Sequence, residues 1–372
     1  MISPGGEGGY RGLLATAFHY YVRLEVWQGG TRVDTFGLAG LPKLDGSISA
    51  TLQNRVARQL TLSLPTQFAP DDIKDPTYLL SPLNKEIRAF AVYNDTYVFP
   101  VFRGRIRTVS YDSDSSSVGI TCADLGQDIL DDEFSAPRNS KPNFTIVDQY
   151  VSLITETLAD ATFSNIGSFF GLMPKLTWNT DRGQACDDCA TSVNAYWYAL
   201  ADGSFTLQTV PWTVISDPVL TLTNGDGGIL VNYRLDADRG DVFNRVVVTG
   251  ERSDGTTPVH AVATDLDAAS PTYFNGDFGH RTKTVQIQSA TTTGQATGLA
   301  TQQVLISRSF KEAWSASCPP DASMELGDAH ELIDNKGRNS VQVLAGFTLP
   351  IVKGSMSLTY RAQVNGVVLD GS

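Results

Sequence analysis

The sequence predicts a mainly β fold of the α+β kind, with β-rich regions at both ends and a helix-containing middle. Three observations carry this expectation. Short runs rich in Val, Thr, Tyr and Phe recur along the chain, bounded by Gly, Pro, Asn, Asp or Ser, the pattern of strands joined by turns. The 372 residues include 33 Gly and 17 Pro, enough for frequent turns. Sustained helical spacing of apolar residues occurs only in the middle and once in the last third.

The elements follow in order. From Phe18, "FHYYVRLEVWQGG" alternates as a strand and ends in a Gly-Gly turn. "TRVDTFGLAG", "GSISATLQN", "RQLTLSLPT", "NKEIRAFAVY", "TYVFPVFRGRIRTVSYDS" and "SSVGITCADL" continue the series, and Asp112 to Ser117 (DSDSSS) reads as a hairpin tip. Such a train of antiparallel strands suggests a barrel or a sandwich. In "TIVDQYVSLITETLADA", Ile146, Tyr150, Val151, Leu153, Ile154 and Leu158 fall at helical spacing. From Asp187 to Ala201, Cys189, Val193, Tyr196, Trp197 and Leu200 form one helical stripe, which predicts a helix, a turn at Asp202-Gly203 and a strand in "SFTLQTV". Strands then return in "GGILVNYRLDADRG", "DVFNRVVVTGER", "TPVHAVATD" and "RTKTVQIQS". A helix is expected in "TTTGQATGLATQQVLISRSFKE", weakened at its start by Gly294 and Gly298. The last strands are "EAWSASCPP", "MELGDAHELID", "NSVQVLAGFTLPI" and "GSMSLTYRAQV". The expected organisation is a flexible N-terminal arm (1–17), a first β domain (18–140), a connector (141–212) and a second β domain with an inserted helix (213–372).

Forty acidic against 28 basic side chains give a net charge of −12. That balance disfavours a surface built to hold nucleic-acid phosphates, yet it suits a wall past which DNA slides without sticking. Met1 to Tyr10 has neither the basic nor the apolar segment of a secretory leader, and no apolar run is long enough to span a bilayer. The expectation is a protein made in the cytoplasm, with no membrane partner. The Gly-rich arm Met1 to Gly12 reads either as a disordered end or as a segment ordered on a neighbouring molecule.

Cys186-Asp187-Asp188-Cys189 has the C-x-x-C spacing of a zinc knuckle or a thiol–disulfide pair. A structural zinc needs four ligands, and the other cysteines, Cys122 and Cys318, are single, with the four histidines remote in sequence. A redox pair belongs after a strand in a βαβ unit, which the pattern lacks. Packing of a helix face is therefore the favoured reading, with Cys186 at or just before the helix start. Carboxylate groups at Asp131-Asp132-Glu133, Asp71-Asp72 and Asp236/Asp238/Asp241 read as solvated loops. The motifs of serine hydrolases, zinc proteases, P-loops and dinucleotide folds are missing. Gly5 to Gly9 is not a phosphate loop, since no strand precedes it. No catalytic, cofactor or metal residue is assigned, and no cofactor is expected.

Several segments together resemble the tail hub (baseplate-hub) proteins of long-tailed bacteriophages, in the form found in phages of actinobacteria. They are "SATLQNRVARQLTLSLPTQFAPDDIKDPTYLLSPLNKEIRAFAVY", the hairpin "VFPVFRGRIRTVSYDSDSSSVGITCADLGQDIL", the stretch around "LADGSFTLQ", and the closing "MELGDAHELID" and "VQVLAGFTLPIVKGSMSLTYRA". The resemblance covers most of Leu38 to Ala362. It implies two β-barrel domains of related shape, with helical and mixed inserts between them. It further implies a homotrimer forming a pseudo-sixfold ring at the virion tail tip, with no enzyme activity. The implied partners are the tail tube or distal tail protein, the tape-measure protein, tail-tip or receptor-binding proteins, and genomic DNA passing through the channel. Two rivals stand beside this: a tail-tip protein that binds or degrades the cell wall, and a redox enzyme using Cys186 and Cys189.

Overall fold

The computed structural model describes Tyr10, Leu14 and residues 18–37, 45–52, 54–72, 74–114, 116–211, 216–225, 228–240, 242–250, 258–287, 290–308, 311–362 and 370–371. The first region holds β1 (Tyr20–Gln28), β2 (Thr31–Gly37), β3 (Asp45–Thr51), β4 (Arg58–Pro65), β5 (Glu86–Tyr93), β6 (Tyr97–Asp112) and β7 (Ser117–Asp124). The middle holds α1 (Gly126–Asp131), β8 (Arg138–Asn139), α2 (Ile146–Thr155), β9 (Thr177–Trp178), α3 (Arg182–Ser192), β10 (Ala195–Ala199) and β11 (Phe205–Thr209). The last region begins with β12 (Leu220–Thr223), β13 (Asn232–Asp238), β14 (Arg245–Gly250), β15 (Val259–Thr264) and β16 (Thr282–Gln286). It continues with α4 (Thr293–Arg308), β17 (Lys311–Cys318), β18 (Ala329–Ile333), β19 (Asn339–Pro350), β20 (Met356–Ala362) and β21 (Asp370–Gly371). The fold is mainly β with helical inserts, as the sequence pattern predicts.

Thirteen strands form one sheet, in the order β13-β17-β20-β19-β3-β4-β7-β6-β5-β1-β2, with β12 and β18 attached beside β19. Both β-rich ends of the chain therefore join, through antiparallel pairing of β19 with β3 from Gly346↔Thr51 to Pro350↔Ser47. One core lies under this sheet and draws on both ends. Leu24, Leu60, Ile87 and Phe102 come from the first, and Leu222, Trp314, Leu344 and Tyr360 from the last. Burying each such side chain contributes roughly 1.5–3 kcal/mol. Bulges in β6, at Val101 opposite Ala89/Phe90 of β5 and at Arg107 between Ile106 and Thr108, bend this long strand. At Gly104 the ladder is so tight that a Cβ would stand 2.0 Å from the Ala123 carbonyl oxygen.

Part of the N-terminal arm packs on its own chain. Tyr10 is buried, its ring lies 4.7 Å from that of Phe99 and its hydroxyl donates to Asp321 at 2.9 Å. Leu14 is buried in the same core. At Tyr10 and Leu14 the expectation of an arm ordered only on a neighbour, or not at all, is corrected. The rest of the arm lies outside the described residues.

The middle region has its own core, built from α1, α2, α3 and the β10–β11 hairpin. A capping box closes the start of α2: the Thr145 hydroxyl accepts from the Asp148 N–H, and the Asp148 carboxylate accepts from the Thr145 N–H. The stripe expected from Asp187 to Ala201 does not form one helix. The helix α3 ends at Ser192, Asn194 turns the chain with φ 50°, and Ala195 to Ala199 form a strand paired with Phe205 to Thr209. The reason is burial on two faces. Ala195, Trp197 and Ala199 face the helical core, whereas Tyr196, Tyr198 and Leu200 face a second cluster with Leu52, Ala57, Leu326 and Val343. A strand buried on both sides is apolar at every position, so an apolar subset also fits a helical period. A third core joins β14 and β15 to α4, in a four-stranded sheet ordered β16-β14-β15-β21.

Asp124, at the end of β7, ties two of these parts. Its carboxylate accepts from the N–H of Arg58 at 2.7 Å and of Gly126, the start of α1, at 2.9 Å. Burial pushes its carboxyl up to about 7, against the pull of those donors and of the Arg58 charge. An unfolded Asp titrates near 3.9. Between about pH 4 and about 7 the folded state therefore holds a proton that the unfolded state has lost. Asp124 contributes full stability below that window and loses it as pH rises through it. Urea unfolding across this range should show stability falling with pH, and Asp124→Asn should flatten that part of the slope.

Candidate functional site at the junction of sheet and connector

A densely bonded site is the junction where β4, the β10–β11 hairpin and the loop before β18 meet. Arg58 opens β4 and follows the inward parity of Leu60, Leu62 and Leu64, so its side chain enters the protein. It is 1% exposed. One guanidinium nitrogen donates to the Ala199 carbonyl at 2.6 Å and another is paired with the Glu325 carboxylate. Glu325 also accepts from the Leu326 N–H at 2.9 Å, and the Tyr198 hydroxyl donates to the Leu326 carbonyl at 3.3 Å. Beside Leu326, burial pushes the Asp328 carboxyl up, and its oxygen accepts from the Glu325 N–H at 2.9 Å.

Next to this centre, Arg55 reaches α3. It donates to Asp187 at 2.7 Å, to Asp181 at 3.1 Å and to Gln184 at 3.2 Å. Asp181 caps α3 by accepting from the Gln184 N–H at 2.8 Å. Asp187 and Asp188 each accept an indole N–H, from Trp197 at 2.7 Å and from Trp178 at 2.8 Å. The two residues inside the C-x-x-C thus carry its polar bonds. Cys186 lies in the second turn of α3, not at its start, and both cysteines point into the core at 0% exposure. Cys189 Sγ lies 3.9 Å from Met173 Sδ. Burial pushes both thiols up, and the neighbouring carboxylates add to it. A nucleophilic thiolate is disfavoured there, and the pair serves as apolar packing. Among the described residues no group of three His, Cys, Asp or Glu side chains stands where it could hold a metal ion.

Among the described residues the carboxylate groups do not converge. Asp131 pairs with Arg107 at 2.6 Å and Asp132 with Arg182 at 3.1 Å, on the outside of the connector. Arg182 also binds Glu156 at 3.3 Å, and Glu156 is held by Arg138 and Lys141. Burial alone would raise the Glu156 carboxyl, but those cationic donors outweigh it and hold it down to about 2. Asp71 and Asp72 are exposed, with Asp72 accepting from the Lys74 N–H. The side chains of Asp236 and Asp238, and all of Asp241, lie outside the described residues. A cleft of about 300 Å³ between the β1–β2 turn and the connector is lined by Trp27, Glu86, Arg88 and Arg103. There Glu86 is taken up by Arg88 at 2.7 Å and Arg103 at 2.8 Å, and Arg88 stacks 3.7 Å over Trp27. Among the described residues no helix is long and apolar enough to cross a membrane.

The junction residues Arg55, Arg58 and Glu325 were not singled out from sequence. Arg58 carried a readable signal, a charge at an inward position of an alternating strand. Glu325 carried none.

No family model matches the sequence, and no curated protein matches it. Solved structures do share the fold. A tail protein from Neisseria meningitidis aligns at TM-score 0.67 and 17% identity, over 92% of this chain and 96% of its own. The 43 kDa tail protein of prophage MuSo2 from Shewanella oneidensis aligns at TM-score 0.62 and 12% identity, over 92% and 98%. Prophage tail protein gp18 from Listeria monocytogenes aligns at TM-score 0.56 and 12% identity, over 93% and 95%. The chain therefore has the fold of these three tail proteins along nearly its whole length.

Removing one partner of a buried ion pair leaves the other charge stranded, at a cost of about 3–5 kcal/mol. Arg58→Ala should lose stability on that scale in chemical denaturation. Arg58→Met combined with Glu325→Leu should lose clearly less than the two single changes added together.

Proposed function

We propose that the chain is a structural hub at the distal end of a phage tail tube, of the type in actinobacterial phages that its segments resemble. The observation that carries this reading is the end-to-end likeness to the Neisseria tail protein, at TM-score 0.67 over 92% of the chain. In this reading residues 18–140 and 213–372 act as two barrels of related shape and 141–212 as their connector. Three copies then present six similar faces to a six-fold tube and three distinct faces to the tip. The ring joins the tube or distal tail protein to the tail-tip and receptor-binding proteins, and its channel passes the tape-measure protein and the genome.

The charge balance supports the channel part of the proposal. Every Lys or Arg held against phosphates would retain DNA by counterion release, and the chain's net charge of −12 works against such retention. The buried junction supports the structural part, because Arg58 and Glu325 are consumed in joining segments. The role is structural rather than enzymatic. The place of action is the virion tail, after assembly in the host cytoplasm.

Light scattering on the purified full chain tests the ring. The expected mass is three times the 40.2 kDa of one chain. A mass of one chain at every accessible concentration would remove the trimer from the proposal.

A further inference from the structure

We infer that the face formed by β14, β16 and the loop leading into β16 docks a carboxylate-bearing surface of a second copy of this chain. The inference rests on the ring proposed above and names the contact that would close it. Three cations gather on this face, Arg239, Arg281 and Lys283, and Arg245 stands on the other side of the same sheet. They are linked to one another. Arg281 donates to the Gly240 carbonyl at 2.9 Å and to the Arg239 carbonyl, and Arg239 donates to the Phe278 carbonyl at 2.6 Å. Parallel pairing sets Arg245 opposite Thr282, so its side chain leaves the sheet on the other side from Arg281 and Lys283.

None of the four forms an ion pair among the described residues. Elsewhere in this acidic chain arginines do find carboxylates, as Arg55, Arg103, Arg138 and Arg182 show. The face instead satisfies its cations with carbonyls and aromatic rings. Arg281 lies 5.0 Å and Lys283 5.7 Å from the Phe243 ring centre, and Arg239 lies 4.6 Å from that of Phe278. Arg245 lies 3.8 Å over Phe274, and His280 stacks on the same ring at 3.9 Å and 3°. Two groups that close occupy opposite faces of one ring. Among the described residues, Asp277 is an exposed carboxylate in the same loop.

The kind of partner follows from this arrangement. Single-stranded nucleic acid is held by cations together with open aromatic faces on which bases stack. Here the cations already cover the rings, so the charge is offered and the stacking platform is not. Guanidiniums held by carbonyls and rings lose little freedom on pairing, which suits fork-like recognition of carboxylates. Each copy of the chain supplies the complement, with a net charge of −12 and exposed carboxylates at Asp71 and Asp72 that form no ion pair among the described residues. A positive patch meeting a negative patch elsewhere on the same molecule is a head-to-tail contact, the kind that closes into a ring.

The test compares the full chain with its Arg281→Glu/Lys283→Glu variant by sedimentation equilibrium at low and high salt. The same preparations are titrated with a fluorescent single-stranded oligonucleotide. The expected result is a wild-type association that weakens with salt, a variant association weaker by about tenfold or more, and no oligonucleotide binding by either. A wild type that assembles and a variant that assembles equally well overturn the docking face and leave the hub reading standing. A wild type that stays monomeric overturns both. Oligonucleotide binding lost in a variant that still assembles assigns the face to nucleic acid and overturns the inference. Thr282, Lys283 and Thr284 are all exposed on their strand, so Lys283→Glu alone keeps the comparison available if the double change misfolds. Its expected effect has the same direction and a smaller size.

Discussion

A single guanidinium organises this molecule. Arg58 sits in the interior at 1% exposure, where an unpaired charge would cost several kcal/mol. Its two terminal nitrogens find partners only when positions far apart in the chain converge: the Ala199 carbonyl from the connector and the Glu325 carboxylate from the last region. Its own N–H is taken by Asp124. Strand pairing of β3 with β19 brings the two ends together, and the apolar cluster around Tyr198, Leu52 and Leu326 packs over the junction. Apolar packing there would accept many arrangements of similar volume. A buried ion pair accepts few, and it sets how the hairpin of the connector lies against the sheet.

Much of the fold was legible because its periodicities are clean. Strands β1 to β7 and β13 to β20 have period two or sit between turn residues, and α2 and α4 show a helical stripe. The stretch misread as a helix has a physical cause, burial on more than one face. Ala195 to Ala199 touches a helical core on one side and the main sheet on the other, so its pattern carried no period to distinguish strand from helix. Asn194 held the missing signal, since Asn tolerates the left-handed conformation that ends a helix. The pairing of β3 with β19 is non-local, and nothing in either strand announces its partner. The C-x-x-C was legible as a helix face, but its weight lay in Asp187 and Asp188, whose partners Trp197, Arg55 and Trp178 are assembled only by the fold.

The same logic shapes the functional account. Asp131 and Asp132, which looked like candidate chemistry, are spent on arginines, while among the described residues a group of cations without carboxylate partners lies on the small sheet with α4. In the proposed hub the cationic group would serve assembly, and the acidic excess would work against holding a passing polyanion.

The central claim is that this chain is the hub of a phage tail. High-resolution cryo-electron microscopy of the intact virion that carries it tests that claim most directly. The account predicts three copies around the tail axis, directly below the tube, with both β-rich ends of each copy facing the ring above. Density for the chain anywhere but the tail tip, or copies arranged without three-fold symmetry, would contradict it.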